Sequence, residues 1–152
     1  MNTTIPRMPL ILGLAGLIPF IWGALSAISP ALQNLGIEII GPRFVGPFVS
    51  LFYGAIILSF MSGVLWGFAA RLEEGQAATG FFLSVLPALW VFFTTGSGAV
   101  SSAVTLMIGF IGLLVLDWYF WRMGAAPDWW MQLRILLTAI VVGSLAVIVL
   151  FA

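Results

Sequence analysis

Five apolar stretches, each long enough to cross a lipid bilayer, limit what this chain can fold into. They cover residues 8–29, 47–70, 77–95, 99–120 and 129–151. A transmembrane helix needs about 20 predominantly apolar residues. Only helices and closed barrels satisfy every backbone group in lipid, and these stretches are about twice as long as a barrel strand and do not alternate. We therefore expect an all-α polytopic membrane protein, a single domain over residues 1–152 built as a bundle of five transmembrane helices.

Composition excludes several other classes of protein. The chain is 62% hydrophobic and 7% charged, with zero net charge, no His and no Cys. Soluble domains carry about 25% charged residues, and disordered chains combine high charge with low hydrophobicity. Without His or Cys there is no thiol catalysis, zinc site or His-ligated cofactor, and zero net charge offers nothing to nucleic acid. We expect no metal, no cofactor and no nucleic-acid partner; the expected partner is the lipid bilayer.

Arginines near the helix ends predict the orientation of the chain in the membrane. With five crossings, Arg7, Arg71, Arg122 and Arg134 gather on the side of the N-terminus, and Arg43 lies on the other side. Basic residues concentrate on the cytoplasmic side of membrane proteins, so we expect a cytoplasmic N-terminus and a C-terminus outside. A cleaved signal peptide is the alternative for the first stretch, whose length and central proline favour a retained helix.

The longest connection covers residues 30–46 and is apolar. It contains the run Leu35–Ile40 together with turn-forming prolines and glycines. We expect this connection to lie on the membrane surface or to fold over the bundle.

Small residues four positions apart predict where the helices pack, because helices in lipid associate through close contact. The second stretch is the richest, with Ser59, Gly63 and Gly67 in one stripe, and we expect it to be the central helix. Pro19 and Pro87 fall inside the first and third stretches, where each removes a backbone donor. Such kinks widen some bundles into pockets and are also common in membrane helices without a function.

Aromatic residues within the helices are the first candidates for a site. Trp22, Tyr53, Trp66 and Trp90 could line an apolar pocket that uses a hydroxyl and indole N–H groups as its few polar contacts. Ordinary packing and anchoring at the membrane interface explain the same four residues.

The densest polar cluster surrounds the start of the fifth helix and includes Asp117, Arg122, Trp130 and Arg134. Its aromatic residues are typical of the headgroup level of a bilayer. Three alternatives are open for Arg134: a cation–π contact with Trp130, an ion pair with Asp117, or snorkelling to the surface. Arg122 and Arg134 are also candidate contacts for a lipid phosphate or another anionic headgroup.

The placement of ionisable groups narrows the functions. Each one lies near a helix end or in a connection, which argues against a proton pump or an ion-coupled transporter. We expect a protein without catalysis, an accessory or assembly subunit of a larger membrane complex. The alternative is a binder or carrier of a small apolar ligand such as a quinone, tetrapyrrole or lipid. An enzyme using Tyr53 or Asp117 as acid or base is least favoured, because neither has a partner at a useful spacing.

Four segments resemble one known family. The segment Tyr53–Gly67 is similar to the signature of the domain of unknown function 3429 family, whose eukaryotic members are called transmembrane protein 69. Gly13–Phe20, Ser84–Trp90 and Leu133–Ala139 support the resemblance, which covers nearly the whole chain. The resemblance implies a small multi-helix protein of bacterial inner or mitochondrial membranes, with no established activity. In a bacterial inner membrane the predicted C-terminus is periplasmic.

Overall fold

The computed structural model describes residues 4–151 and shows an all-helical bundle, as predicted. Within that range there are seven α-helices and one short 3₁₀ helix at Pro42–Phe44. The α-helices are α1 Arg7–Ala15, α2 Ile18–Ile28, α3 Pro30–Ile40, α4 Phe48–Ala69, α5 Glu74–Thr94, α6 Ala99–Arg122 and α7 Trp130–Phe151. Five spans are long and apolar enough to cross a membrane, the first formed by α1 and α2 together. The third span begins at Glu74 rather than residue 77, because a carboxylate is favourable in the first turn of a helix.

The first crossing is broken, whereas a single helix with an internal proline was expected. Helix α1 ends at Ala15, and Pro19 is the second residue of α2. A proline has no N–H and clashes with the preceding turn, but the first turn of a helix has no intrahelical partner for that N–H. A new helix therefore starts next to Pro19, and the backbone at Leu17 donates to the Leu14 carbonyl in a tighter turn at 3.0 Å.

The connection of residues 30–46 folds back against α2 and α4. Ser29 caps α3 by accepting from the backbone N–H of Leu32 at 3.4 Å. The Trp22 indole donates to the Phe44 carbonyl at 2.8 Å, and the Gly46 N–H donates to Ser26 Oγ at 2.8 Å. The predicted placements were the membrane surface and a position over the bundle. The part of the connection that leads into α4 folds over the bundle.

Helices α4 and α6 each pack against three other membrane-spanning segments, so α4 shares the predicted central position with α6. The packed face of α4 repeats every three to four residues and consists of Ser50, Gly54, Leu58, Met61, Ser62, Leu65 and Ala69. The prediction for Ser59, Gly63 and Gly67 as packing residues within this bundle is wrong. All three are exposed, and a Cβ added at either glycine would meet no atom within 4 Å. The small size of Gly54 and Ser50 in the neighbouring row lets α2 and α6 approach on that face instead.

Pro87 is buried within α5, and an interhelical hydrogen bond forms beside it. The N–H of the following residue, Ala88, donates to Ser62 Oγ on α4 at 2.9 Å. The backbone hydrogen bond that Pro87 cannot donate is thus missing next to a hydrogen bond that joins α5 to α4. Pro87 lies at the α4–α5 packing region, while Pro19 lies at the break in the first crossing.

The connections between α4 and α5 and between α6 and α7 lie at the same end of the bundle. Arg71 Nη1 donates to the Ala125 carbonyl at 3.2 Å, across 54 positions of sequence. In a chain with five antiparallel crossings, the connections after the second span, α4, and the fourth span, α6, lie at the same end. The Arg71 contact agrees with this arrangement. Arg43 belongs to the opposite end, where its guanidinium lies 5.2 Å from the centre of the Phe52 ring.

Candidate ligand-binding site

A buried ion pair joins the last turns of α6 to the first turns of α7. Arg134 Nε lies 2.7 Å from Asp117 Oδ2, and the Trp130 indole N–H donates to Asp117 Oδ1 at 2.9 Å. Asp117 is fully buried and Arg134 is 6% exposed. The ion pair was one of the three alternatives for Arg134; the structure does not show it snorkelling to the surface.

Arg134 and its neighbour Thr138 each have a buried polar atom that makes no hydrogen bond. Both carboxylate oxygens of Asp117 already accept a hydrogen bond. Within residues 4–151, Arg134 Nη2 and Thr138 Oγ1 are buried and have no hydrogen-bond partner. Thr138 follows Arg134 by one helical turn, so both side chains lie on the same face of α7. Buried polar groups are normally satisfied, and these two atoms are exceptions that need an explanation.

Both side chains line a cavity of about 240 Å³ between the broken first crossing, α4, α6 and α7. The break itself contributes Gly16 and Leu17 to the wall. The full lining is Leu12, Gly13, Gly16, Leu17, Phe20, Tyr53, Ile57, Phe60, Met61, Phe110, Arg134, Leu137, Thr138 and Val141. Leu12 and Phe60 at its edge are each 64% exposed on the outer surface of the bundle. The cavity therefore opens where the protein meets lipid.

Tyr53 supplies a further polar group to this cavity. Its ring packs edge-to-face on Phe20 with the centroids 5.4 Å apart, which fixes its position on α4. Its hydroxyl oxygen lies close to Gly16, 3.6 Å from the position that a Cβ atom added to that glycine would occupy. Of the predicted site residues, Tyr53 and Arg134 are the two that the structure brings to one cavity.

The structure does not bring Trp22, Trp66 and Trp90 to that cavity, so the predicted four-aromatic pocket is wrong. Trp22 is hydrogen-bonded to the connection before α4, and Trp66 packs against Phe81 with the rings tilted and their centres 4.6 Å apart. Trp90 donates to the Thr105 carbonyl at 2.7 Å. The physical reason is distance along the helix: positions 53 and 66 of α4 are about 20 Å apart at 1.5 Å per residue.

Arg122 lies outside the cavity, at the end of α6. It is exposed, and its guanidinium stands 5.7 Å from the centre of the Trp118 ring. This arrangement leaves the charged group at the membrane surface, where contact with a lipid phosphate stays a prediction.

Sequence reasoning missed Thr138 as a functional candidate. The signal was present, because Arg134, Thr138 and Val141 are spaced four and three apart and share one face of α7. Gly13 and Gly16 were also missed as cavity residues. Nothing in the spacing alone tells a cavity wall from a packed interface.

The arrangement is suited to binding rather than to metal chemistry. Among the described residues, no group of three or more Asp, Glu, His or Cys side chains could hold a metal ion. The free hydrogen-bonding atoms are N–H and O–H groups in a wall that is otherwise apolar. Such a wall can hold an apolar molecule and orient it through an oxygen acceptor.

Comparison with known proteins agrees with the family resemblance. The family described as Protein of unknown function (DUF3429) matches residues 5–150. The curated protein Transmembrane protein 69 of Xenopus tropicalis is 34% identical over 146 residues, which cover 92% of this chain. The chain spans about half the length of that relative, 53%. No solved structure matches the chain. The chain is a membrane protein of the DUF3429 family.

Proposed function

We propose that this protein is a non-catalytic membrane protein that binds a small, mainly apolar ligand in the cavity at Arg134. The observation that carries the proposal is the pair of buried, unpartnered polar atoms, Arg134 Nη2 and Thr138 Oγ1, in the wall of that cavity. A buried donor without a partner costs about 1–3 kcal/mol, and more when it belongs to a charged group. A ligand with an oxygen acceptor would remove that cost.

One other groove on the bundle supports a ligand less well. A larger groove of about 520 Å³ lies between α5 and α6, next to Pro87 and Trp90. Its one indole N–H is already bonded to the Thr105 carbonyl, and its remaining wall is almost wholly apolar. It resembles the lipid-facing surface of a helix pair, whereas the cavity at Arg134 has unused donors.

Filling the cavity tests the proposal. Gly13 faces the cavity, and a side chain there would meet Leu137. We expect Gly13→Leu to abolish co-purification of a small organic molecule that mass spectrometry detects with the wild-type protein in mild detergent. Gly143→Leu is the matched control, because a Cβ at that exposed position of α7 would meet nothing within 4 Å. Equal ligand content in both variants, or none in the wild type, would contradict the proposal.

A second candidate function is that of an accessory subunit on a larger membrane complex. The exposed stripe of Ser59, Gly63 and Gly67 on α4 favours it, because small residues let another helix approach closely. On this hypothesis, Gly63→Leu with Gly67→Leu releases a protein partner during gentle extraction while the cavity ligand is retained. A wild-type protein that migrates alone, with no partner, would argue against it.

The proposed location is the bacterial inner membrane, with the N-terminus in the cytoplasm. Four of the five arginines support this orientation by the positive-inside rule. Arg71 in the connection between α4 and α5 contacts the connection between α6 and α7. This contact supports the placement of both connections on the same side of the membrane.

A further inference from the structure

We infer that the ligand of the Arg134 cavity carries a neutral carbonyl-bearing ring, as in a quinone, with an apolar tail in the surrounding lipid. This inference rests on the proposed ligand-binding function and adds the chemical class of the ligand. It follows from three properties of the cavity: the unused donor of Arg134, the balance of charge and the volume.

The cavity wall contains a free polar atom that can only donate a hydrogen bond. Arg134 Nη2 can only donate, and Thr138 Oγ1 and the Tyr53 hydroxyl can each donate one hydrogen bond. Asp117 does not appear in the lining of the cavity, and its two oxygens accept from Trp130 and Arg134. A ligand that satisfies Arg134 must therefore present an oxygen acceptor, and the two hydroxyls can donate to the same or to a second acceptor.

The charge balance favours a neutral acceptor over an anion. Asp117 and Arg134 form a buried pair 2.7 Å apart, so the formal charge at the head of the cavity is zero. A carboxylate or phosphate bound at the same guanidinium would place two negative groups around one positive group away from water. Burying an uncompensated charge is far more costly than burying a hydrogen-bonded neutral carbonyl.

The volume fits a single substituted ring. A cavity of about 150 Å³ holds one benzene molecule, and this cavity measures about 240 Å³. A tetrapyrrole, with its four linked rings, is too large to be enclosed. A tail attached to the ring would leave between Leu12 and Phe60, whose side chains are largely exposed on the lipid-facing surface. One carbonyl would reach Arg134 and Thr138, and Tyr53 would stand at another part of the same wall.

Equilibrium binding of three probes to the full chain in phosphatidylcholine nanodiscs tests this inference. The probes share one alkyl tail and carry a benzoquinone, a benzene ring or a carboxylate as the head. We expect the alkylbenzoquinone to bind most tightly. Thr138→Val should weaken its binding about five-fold, the effect of one lost hydrogen bond, while leaving the alkylbenzene unchanged. Tyr53→Phe is the second variant, and it should act in the same direction.

The matched control is Thr105→Val, which removes a hydroxyl from α6 outside the cavity lining. It should leave binding of each probe unchanged. Two outcomes would overturn the inference on the head group while ligand binding itself stands. One is that the carboxylate probe binds most tightly, and the other is that Thr138→Val weakens binding of the quinone and the benzene probe equally. If no probe binds the wild type more tightly than Gly13→Leu, the proposed function fails as well.

Discussion

Arg134 belongs both to the buried ion pair and to the wall of the cavity. Its Nε neutralises Asp117 within the bundle, and its Nη2 remains free at the cavity. Trp130 donates to the second oxygen of Asp117, and Arg134 contacts the first oxygen through Nε. Two side chains, Trp130 and Arg134, therefore share one carboxylate, and Nη2 takes no part in that contact.

Removal of one member of the ion pair should destabilise the bundle. We expect Arg134→Met to lower the free energy of unfolding by about 3 kcal/mol, because it leaves the buried Asp117 carboxylate without its partner. The double variant Asp117→Leu with Arg134→Met should recover most of that loss, since no charge is left in the interior. Reversible unfolding in mixed micelles, followed by circular dichroism, measures both; equal losses for the two variants would contradict a paired role.

At the scale of the helices, close approach is decided at a few small residues. Gly23 on α2 crosses the start of α4, where a Cβ would overlap the Ser50 side chain. Gly46, just before α4, lies against the Gly23 carbonyl in the same way. Gly67 on α4 faces open space. Glycines in one chain therefore differ in whether a neighbouring helix needs them.

Two alanine substitutions separate these roles. Gly23→Ala should lower the free energy of unfolding by about 2 kcal/mol, because the added methyl group forces α2 and α4 apart. Gly67→Ala should raise it by about half a kcal/mol, since alanine is the better helix former at an exposed position. The same micelle unfolding assay gives both values. If Gly23→Ala lowered the free energy of unfolding no more than Gly67→Ala does, the α2–α4 contact would be absent in the membrane.

The whole molecule has two unlike ends. One end carries the connection between α4 and α5 joined to that between α6 and α7 by Arg71. The other carries α3 and the 3₁₀ helix folded against α2 and α4. The cavity lies between these ends, at the break in the first crossing.

Labelling of single cysteines tests the orientation of the two ends, and the natural chain has no cysteine to interfere. Glu38 in α3 and Glu73 before α5 are both exposed. In spheroplasts, a membrane-impermeant maleimide should label Glu38→Cys, and it should label Glu73→Cys only after the membrane is permeabilised. The reverse pattern would place the N-terminus outside, and labelling of both residues before permeabilisation would contradict an odd number of crossings between them.

The number and type of the helices followed from the sequence alone, because the length and apolar character of a segment are local properties that the bilayer selects directly. The ion pair between Asp117 and Arg134 was within reach too, since the short connection between α6 and α7 brings their ends together. Which face of α4 is packed was not predictable, because Ser59 and Ser50 belong to adjacent rows of similar small residues.

Tertiary structure alone decided the cavity. It depends on how far α1 and α2 stand from α4 and α7 at the break, which is set by the rotation and crossing of helices distant in sequence. Residue spacing describes one helix at a time, so it located Tyr53 and Arg134 separately but could not place them in one wall. For the same reason it grouped Trp66 and Trp90 with them, although the assembled bundle holds these rings elsewhere.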